Sequence, residues 1–322
     1  MNKYKKILVT GSTAVLGVGL QNISKNYLDI EFIFTNSKDC NLTNIDQTIN
    51  FVKNLKPDAI IHFAAISGGI GLLMKKHATI LRDISLMNLS ILEAARINNI
   101  KKTIMTLTTG MYPSEASLPL DEKDIHNGYP HETTYGSSFA KRIIDPAIRA
   151  YRDEFNLNVI GLIPSGIFGE NDNFNLNDAP MLPSLIRRFY ESKINGGDII
   201  VWGDGSPLRE YTYSQDLAKI FMWSLENYDD AQCLNIGTTE ENSIKDIAYM
   251  ICDIMNIDKN LIKFDLNKPK GTYRKNISNK RFINLNNFKY TPFKDALEKT
   301  INWFIENYEK NRNNIRIHNK AR

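Results

Sequence analysis

The run Lys6-Ile7-Leu8-Val9-Thr10-Gly11 constrains this chain more than any other. It is a short apolar segment that stops on Gly and passes through Ser12-Thr13-Ala14-Val15-Leu16-Gly17-Val18-Gly19-Leu20 into a helical pattern. A strand, tight turn and helix of this kind suit a dinucleotide. Gly11 and Gly17 let the backbone approach a pyrophosphate, and the free N–H groups at the helix start bind it. Ser12, Thr13, Val15 and Leu16 complete the expected loop, with Ala14 at the middle of a Gly-x-x-Ala-x-x-Gly spacing. Alone, that spacing also fits a structural turn without a ligand, so the rest of the pattern must decide.

The rest alternates between strand and helix. Residues 31–35 read as a second strand, and the segment after it falls about twenty residues past the glycines, where an adenine ribose is read. No acid closes this strand. Ser37 and Lys38 could hold a 2′-phosphate, with Asn41 and Leu42 bordering the same place, so NADP is expected over NAD. Residues 58–65 form a third apolar strand ending at Ala64 and Ala65 before Gly68-Gly69, with His62 read as a core residue rather than a ligand. A helix over 78–98 and a strand over 103–109 follow, the latter carrying Leu107 and Thr108. A helix over 134–155 should be kinked by Pro146, and beyond it a strand over 159–163 leads to Pro164 and Ile167. This order predicts an α/β fold, a Rossmann-type doubly wound parallel sheet with its ligand at the carboxyl ends of the strands.

The 322 residues are 42% hydrophobic and 24% charged, enough for a large core and ordinary for a globular chain. A net charge of +4 without a concentrated basic face argues against duplex nucleic acid and fits a small anionic ligand. Cys40, Cys233 and Cys252 are scattered, which suggests neither a disulfide framework nor a metal site. The first apolar run is too short for a signal peptide, and no run reaches membrane-span length, so a cytoplasmic location is expected. The basic tail over 310–322 is expected to fray. A polar break near Asn171 predicts two units: a cofactor domain over 1–165, with returning segments from about 210–240, and a substrate domain over 166–322. In the second unit Trp202 beside glycines, with Arg187, Arg188 and Arg209, could stack a base and hold phosphates. A buried Trp with a solvated cationic face fits those residues equally.

Several further motifs lie in order along the chain: Ile125-His126-Asn127-Gly128, Ala140-Lys141-Arg142, Asp172-Asn173-Phe174-Asn175, Val201-Trp202-Gly203, Tyr213-Ser214-Gln215-Asp216-Leu217-Ala218 and Thr291-Pro292-Phe293-Lys294. From about residue 6 to residue 308 the chain resembles the GDP-L-fucose synthase family. These extended short-chain dehydrogenases epimerise GDP-4-keto-6-deoxymannose at carbons 3 and 5, then reduce carbon 4 with NADPH. The resemblance implies NADP(H), a GDP-sugar substrate, a smaller C-terminal α/β substrate domain and a homodimer. It places the catalytic Ser/Thr on Thr108 and the catalytic Lys on Lys141. It implies substrate contacts at Asn173, Arg188, Trp202, Arg209 and Lys270.

The departures are as informative. The family's catalytic Tyr falls on Ser137, leaving Tyr135 as the neighbouring phenol. Its epimerase Cys and His fall on Gly110 and Pro180. Three lesser departures from the family pattern are Ala14 in the glycine loop, Gly166 where the family has Asn, and Lys270 where it has Asp. A serine hydroxyl is a poor general acid at neutral pH, and neither Gly nor Pro moves a proton. The expectation is therefore a carbon-4 oxidoreductase on a GDP-hexose or GDP-heptose without epimerisation, with Tyr135 or water as proton donor. A non-catalytic GDP-sugar-binding homologue is the alternative.

Overall fold

A computed structural model of the chain describes residues 3–268, 272–310, 312 and 315–317. Its centre is a six-stranded parallel sheet. The strands are β1 (Lys6–Thr10), β2 (Glu31–Thr35), β3 (Ala59–His62), β4 (Lys102–Thr106) and β5 (Val159–Pro164). The sixth arrives from much later in the chain, after β6 (Ile167–Phe168), β7 (Ile199–Trp202), β8 (Leu208–Glu210) and β9 (Thr212–Tyr213): it is β10 (Leu234–Ile236). The spatial order β10-β5-β4-β3-β1-β2 reverses between β1 and β3, so a crevice opens at the carboxyl ends of those two strands.

Side-chain alternation explains the layers. Ile7 and Val9 of β1 face one core with Leu16 and Leu20 of α1 (Val15–Ser24). Leu8 faces the other, with Val52 of α2 (Ile45–Leu55) and, after α3 (Ile70–Lys75), Ile91 and Ala95 of α4 (His77–Ile97). The sheet is therefore covered on both faces, which is what a parallel sheet requires.

The expected strand over 103–109 stops at Thr106, because Thr108 turns its hydroxyl back to accept a hydrogen bond from the Gly110 N–H and starts a 3-10 turn, Thr109–Met111. Similarly, the strand expected over 58–65 ends at His62. The helix expected over 134–155 is two helices, α5 (Tyr135–Arg142) and α6 (Ile144–Phe155), meeting at Ile143. Pro146 has no N–H for the Arg142 carbonyl, so the break falls one turn ahead of the proline.

A second core lies between α7 (Met181–Asn195), α9 (Ile244–Met255) and α11 (Phe293–Lys310), where Phe174, Phe189, Ile251 and Phe304 are buried together. Between those helices come α8 (Ser214–Asn227), which packs on α1, and α10 (Lys280–Leu285). The small pairs β11 (Glu241–Ser243) with β8 and β12 (Ile262–Asp265) with β7 flank this unit. The tail does not fray throughout: Ile315 and Ile317 are buried in this core and Arg316 bridges to Asn173. Their apolar, polar, apolar alternation was the signal that the basic composition hid. Among the described residues no helix is long and apolar enough to cross a membrane.

Candidate active site

The crevice between β1 and β3 is lined by the glycine loop. Gly11 has φ +72°, and a Cβ there would lie 2.6 Å from the Ala64 nitrogen, so only glycine fits where the two strand ends meet. At Gly17 a Cβ would lie 2.5 Å from the Ser12 Cα, so the loop folds tightly onto its helix. Ser12 is buried and its N–H donates to the Thr35 carbonyl, tying the loop to β2. Ala14 caps α1 with no side-chain hydrogen bond and no acid lies in the first turn, so the first N–H groups face no built-in anion. Thr13, Val15 and Leu16 complete the loop, and Ala65 lies exposed beyond Ala64. At the end of β2, Ser37 and Lys38 are exposed, and the Lys38 N–H donates to the Asn36 side chain in a tight turn. Asn41 holds the next turn by accepting from Thr43, and Leu42 packs on the core. This cradle fits a dinucleotide: the glycines allow close approach, and the helix start supplies donors.

Leu107, Thr108, Pro164 and Ile167 stand at the carboxyl ends of β4 and β5. Against them α5 delivers Lys141. Its ammonium is buried and donates to the Thr106 carbonyl at 2.6 Å, and burial lowers its pKa to about 8. The hydroxyl of that same Thr106 is buried and has no hydrogen-bond partner among the described residues. One turn before Lys141, the Ser137 hydroxyl donates to the Thr134 carbonyl at 3.0 Å. Ser138, which sequence reasoning passed over, is buried and donates to the Thr134 hydroxyl at 3.2 Å. A Cβ on Gly110 would lie 3.4 Å from the Ser138 hydroxyl and 3.6 Å from that of Thr108, so both hydroxyls border the place where the epimerase Cys was expected.

Tyr135 does not join them through its ring, which stacks on the His77 imidazole with centroids 4.1 Å apart and stays partly exposed. Gly136 permits this contact, since a Cβ there would lie 2.6 Å from the His77 carbonyl oxygen. His77 at the start of α4 carried no recognisable motif and became visible only through the packing of two helix starts.

His62 is a fully buried core residue. The Asn88 amide nitrogen faces the Ala140 carbonyl, so its oxygen must accept from His62 Nε2, and His62 Nδ1 then accepts from the Thr10 hydroxyl. Burial, with the Lys141 charge nearby, pushes the His62 pKa down to about 3, consistent with this neutral tautomer.

The side expected to take the sugar begins at Gly166. A Cβ there would run into the Glu210 carbonyl oxygen, so the Asn expected from the family pattern has no room. Asn173 is buried with its amide donating to Asp178 and its oxygen accepting from the Asn175 N–H, which binds it into its own loop. The Gly69 N–H donates to the Asp178 carbonyl, which brings the Gly68-Gly69 loop beside Pro180. Farther out, Trp202 is 49% exposed, so the buried-Trp reading gives way to an accessible ring. Arg188 and Lys268 lie 5.8 and 5.7 Å from its centroid. Lys268 was not singled out in the sequence, although it lies two residues before Lys270. Arg209 is half-buried, donates to the Leu208 carbonyl, and is pushed down in pKa by burial, as is Arg188. Lys270 lies outside the described residues.

Comparison with known proteins agrees with this geometry. The model of the NAD dependent epimerase/dehydratase family matches residues 7–237. A GDP-L-fucose synthase of Dictyostelium discoideum is 35% identical over 310 residues, 95% of this chain and 97% of that protein. A GDP-L-colitose synthase of Yersinia pseudotuberculosis is 29% identical, with 95% and 99% covered. The crystal structure of a GDP-L-fucose synthetase from Naegleria fowleri bound to NADP superimposes with a TM-score of 0.90 at 33% identity, covering 98% of this chain and 96% of that one.

Proposed function

Because this chain belongs to the GDP-L-fucose synthase branch of the NAD dependent epimerase/dehydratase family, we propose that it is an NADP(H)-dependent oxidoreductase acting at carbon 4 of a GDP-4-keto-hexose or heptose, without 3,5-epimerase activity. The observation that supports this most is a division within one site. The glycine cradle, Thr108 and the buried Lys141 are kept, whereas Gly110, Ser137 and Pro180 offer no acid or base.

The residues fit the cofactor as follows. Gly11 to Gly17 and the start of α1 hold the pyrophosphate, and Ser37 and Lys38 take the 2′-phosphate. Asn41, Leu42, Ala64 and Ala65 border the adenosine, while Leu107, Pro164 and Ile167 border the nicotinamide end. Lys141 donates to its ribose. When bound, the nicotinamide supplies or accepts the hydride at carbon 4. Thr108 holds the carbon-4 oxygen through its hydroxyl. Water supplies the proton, since Ser137 is not acidic enough and the Tyr135 ring is engaged by His77. Arg188, Arg209 and Lys270 carry the diphosphate, Trp202 stacks the base, and Asn173 shapes the loop beside the sugar. The same reading takes residues 1–165 with the return at about 210–240 as the cofactor part and 166–322 as the sugar part. It pairs two copies through α4 and α5–α6, where Leu86, Ile97, Ile143 and Phe155 are exposed.

The Ser137 and Tyr135 contacts also favour a second reading, in which the protein binds both ligands and turns neither over. One experiment separates the three outcomes. GDP-4-keto-6-deoxymannose is incubated with the protein in D₂O, carbons 3 and 5 are followed by NMR, and NADPH oxidation is recorded alongside NADPH binding. The proposal expects NADPH oxidation without catalysed deuterium entry. Deuterium entering faster than in buffer refutes the loss of epimerisation, and binding without oxidation selects the second reading.

A further inference from the structure

The loop between β6 and α7 touches both halves of the crevice. At its start the Asn171 amide donates to the Thr13 carbonyl of the glycine loop at 3.2 Å. At its end the Asp178 carbonyl accepts from the Gly69 N–H. Between them the loop is a web of Asn contacts: Asn173 to Asp178, the Asn175 N–H to Asn173, and the N–H groups of Asp178 and Ala179 to the Asn175 carbonyl. These contacts run within the loop itself.

Phe174 of the loop is held to the second core by residues 315–317, by Arg187 and by its own packing. Arg316 pairs with Asn173 as a parallel bridge, and its carbonyl accepts from the Phe174 N–H at 2.9 Å. Arg187 of α7 locks the pair: one guanidinium nitrogen donates to the Phe174 carbonyl at 3.1 Å and to the Ile317 carbonyl at 2.9 Å. Its Nε is fixed by Glu191 at 2.7 Å. Ile315 and Ile317 anchor the segment in the second core, where Phe174 packs on Phe304 with centroids 4.6 Å apart. Of the two adjacent arginines, Arg187 thus faces inward to carbonyls and Arg188 outward to Trp202.

We propose that residues 315–317 are a latch and Arg187 its positioning residue, together holding the 171–179 loop against the glycine loop so that the dinucleotide site is preorganised. This rests on the cofactor reading above for its binding readout, although not for its structural one. Only a planar fork can reach both carbonyls and Glu191 at once, so Lys at 187 keeps the charge and loses the bridge.

The test compares the full chain, a chain ending at Arg312, and Arg187→Lys. The readouts are NADPH dissociation constant by calorimetry, thermal midpoint, and hydrogen exchange of the 171–179 amides. The latch expects exchange in that loop to rise in both variants, with NADPH binding weakened about fivefold, the effect of one lost hydrogen bond. Added peptide with the sequence of residues 313–322 should restore both in the truncated chain. General destabilisation would instead raise exchange across α7 and α11 equally and would not respond to peptide, and that result overturns the proposal. So does a folded truncated chain with unchanged loop exchange and NADPH affinity. If the truncated chain does not fold, Arg187→Lys decides by the same two readouts. If the full chain binds no NADPH, the cofactor reading fails, and loop exchange alone supports or overturns the latch.

Discussion

The Lys141 ammonium lies 2.6 Å from the Thr106 carbonyl oxygen, inside the protein and without a carboxylate partner among its described contacts. Burial there lowers its pKa from 10.5 to about 8. A lowered Lys pKa means that the unfolded chain holds more protons than the folded one between these two values. Stability therefore rises with pH across the window of about 8 to 10.5, and the cost of the buried charge is fully present below it. Chemical denaturation of the wild type and of Lys141→Met from pH 7 to 10 should show the wild type gaining relative to the variant as pH rises. If Lys141 holds the ribose as proposed, NADPH affinity should move oppositely, falling above pH 8 as its charge is lost.

Ser137→Tyr should raise the rate of NADPH oxidation with a GDP-4-keto sugar by about 10²–10⁴-fold, the usual worth of a positioned general acid. Ser137 stands one helical turn before Lys141, so a phenol there shares its face. Tyr135→Phe should leave the rate within about twofold, because Phe preserves the stacking on His77 and the proposed donor is water. A large loss with Tyr135→Phe would make Tyr135 the donor.

Reinstating the family's residue at position 166 should fail. Gly166→Asn drives its Cβ into the Glu210 carbonyl while the Thr212 N–H donates to the Gly166 carbonyl at 2.8 Å, so the 210–212 segment cannot retreat freely. The expected loss is about 2–4 kcal/mol, typical of a steric and backbone conflict in a packed region. Urea unfolding should show it, and a loss below about 0.5 kcal/mol, the ordinary range for surface changes, would mean the segment moves easily.

The sheet was legible because its signal is local. Apolar runs bounded by Gly11 and by Ala64-Ala65 mark strands wherever they pack, and their alternation with helices leaves one economical topology. Residues 31–35 were recovered to the residue. Strand ends were less legible, since Thr108 leaves β4 through its own hydroxyl rather than through a Gly or Pro. The fate of Tyr135 could not be read at all. It depends on His77 meeting Gly136 across two helix starts, a long-range contact with no periodic trace. Lys141 was found by resemblance and spacing, but its low pKa came from burial that only packing reveals. Likewise Arg187 and Arg188 look equivalent in sequence, and only the position of the chain end separates their roles.

Cofactor choice gives a direct prediction. Lys38→Ala should weaken NADPH binding about tenfold while leaving NADH within about twofold, as expected for a charge-assisted contact to a 2′-phosphate. Lys38 is exposed, so its removal should not affect folding. Equal losses for both cofactors, measured by calorimetry, would assign Lys38 to the turn instead.

The last prediction concerns the chain of hydrogen bonds beneath the site. Thr10 donates to His62, His62 to Asn88, and Asn88 to the Ala140 carbonyl next to Lys141, so two strands and two helices are joined through one buried neutral imidazole. Asn88→Ala removes the acceptor for His62 Nε2–H and leaves a buried donor unsatisfied, which costs about 1–3 kcal/mol. The His62 pKa of about 3 means that the ring cannot relieve this by ionising at neutral pH, where a second N–H would need a partner too. Removing the imidazole as well, in Asn88→Ala with His62→Leu, takes away the stranded donor. The double variant should therefore be less destabilised than the sum of the singles by about 0.5–3 kcal/mol, the range for residues sharing one network. Equilibrium unfolding of the four proteins measures the coupling directly. Strict additivity would show that His62 and Asn88 do not act together, and that the position of α5, and with it Lys141, is set by packing alone.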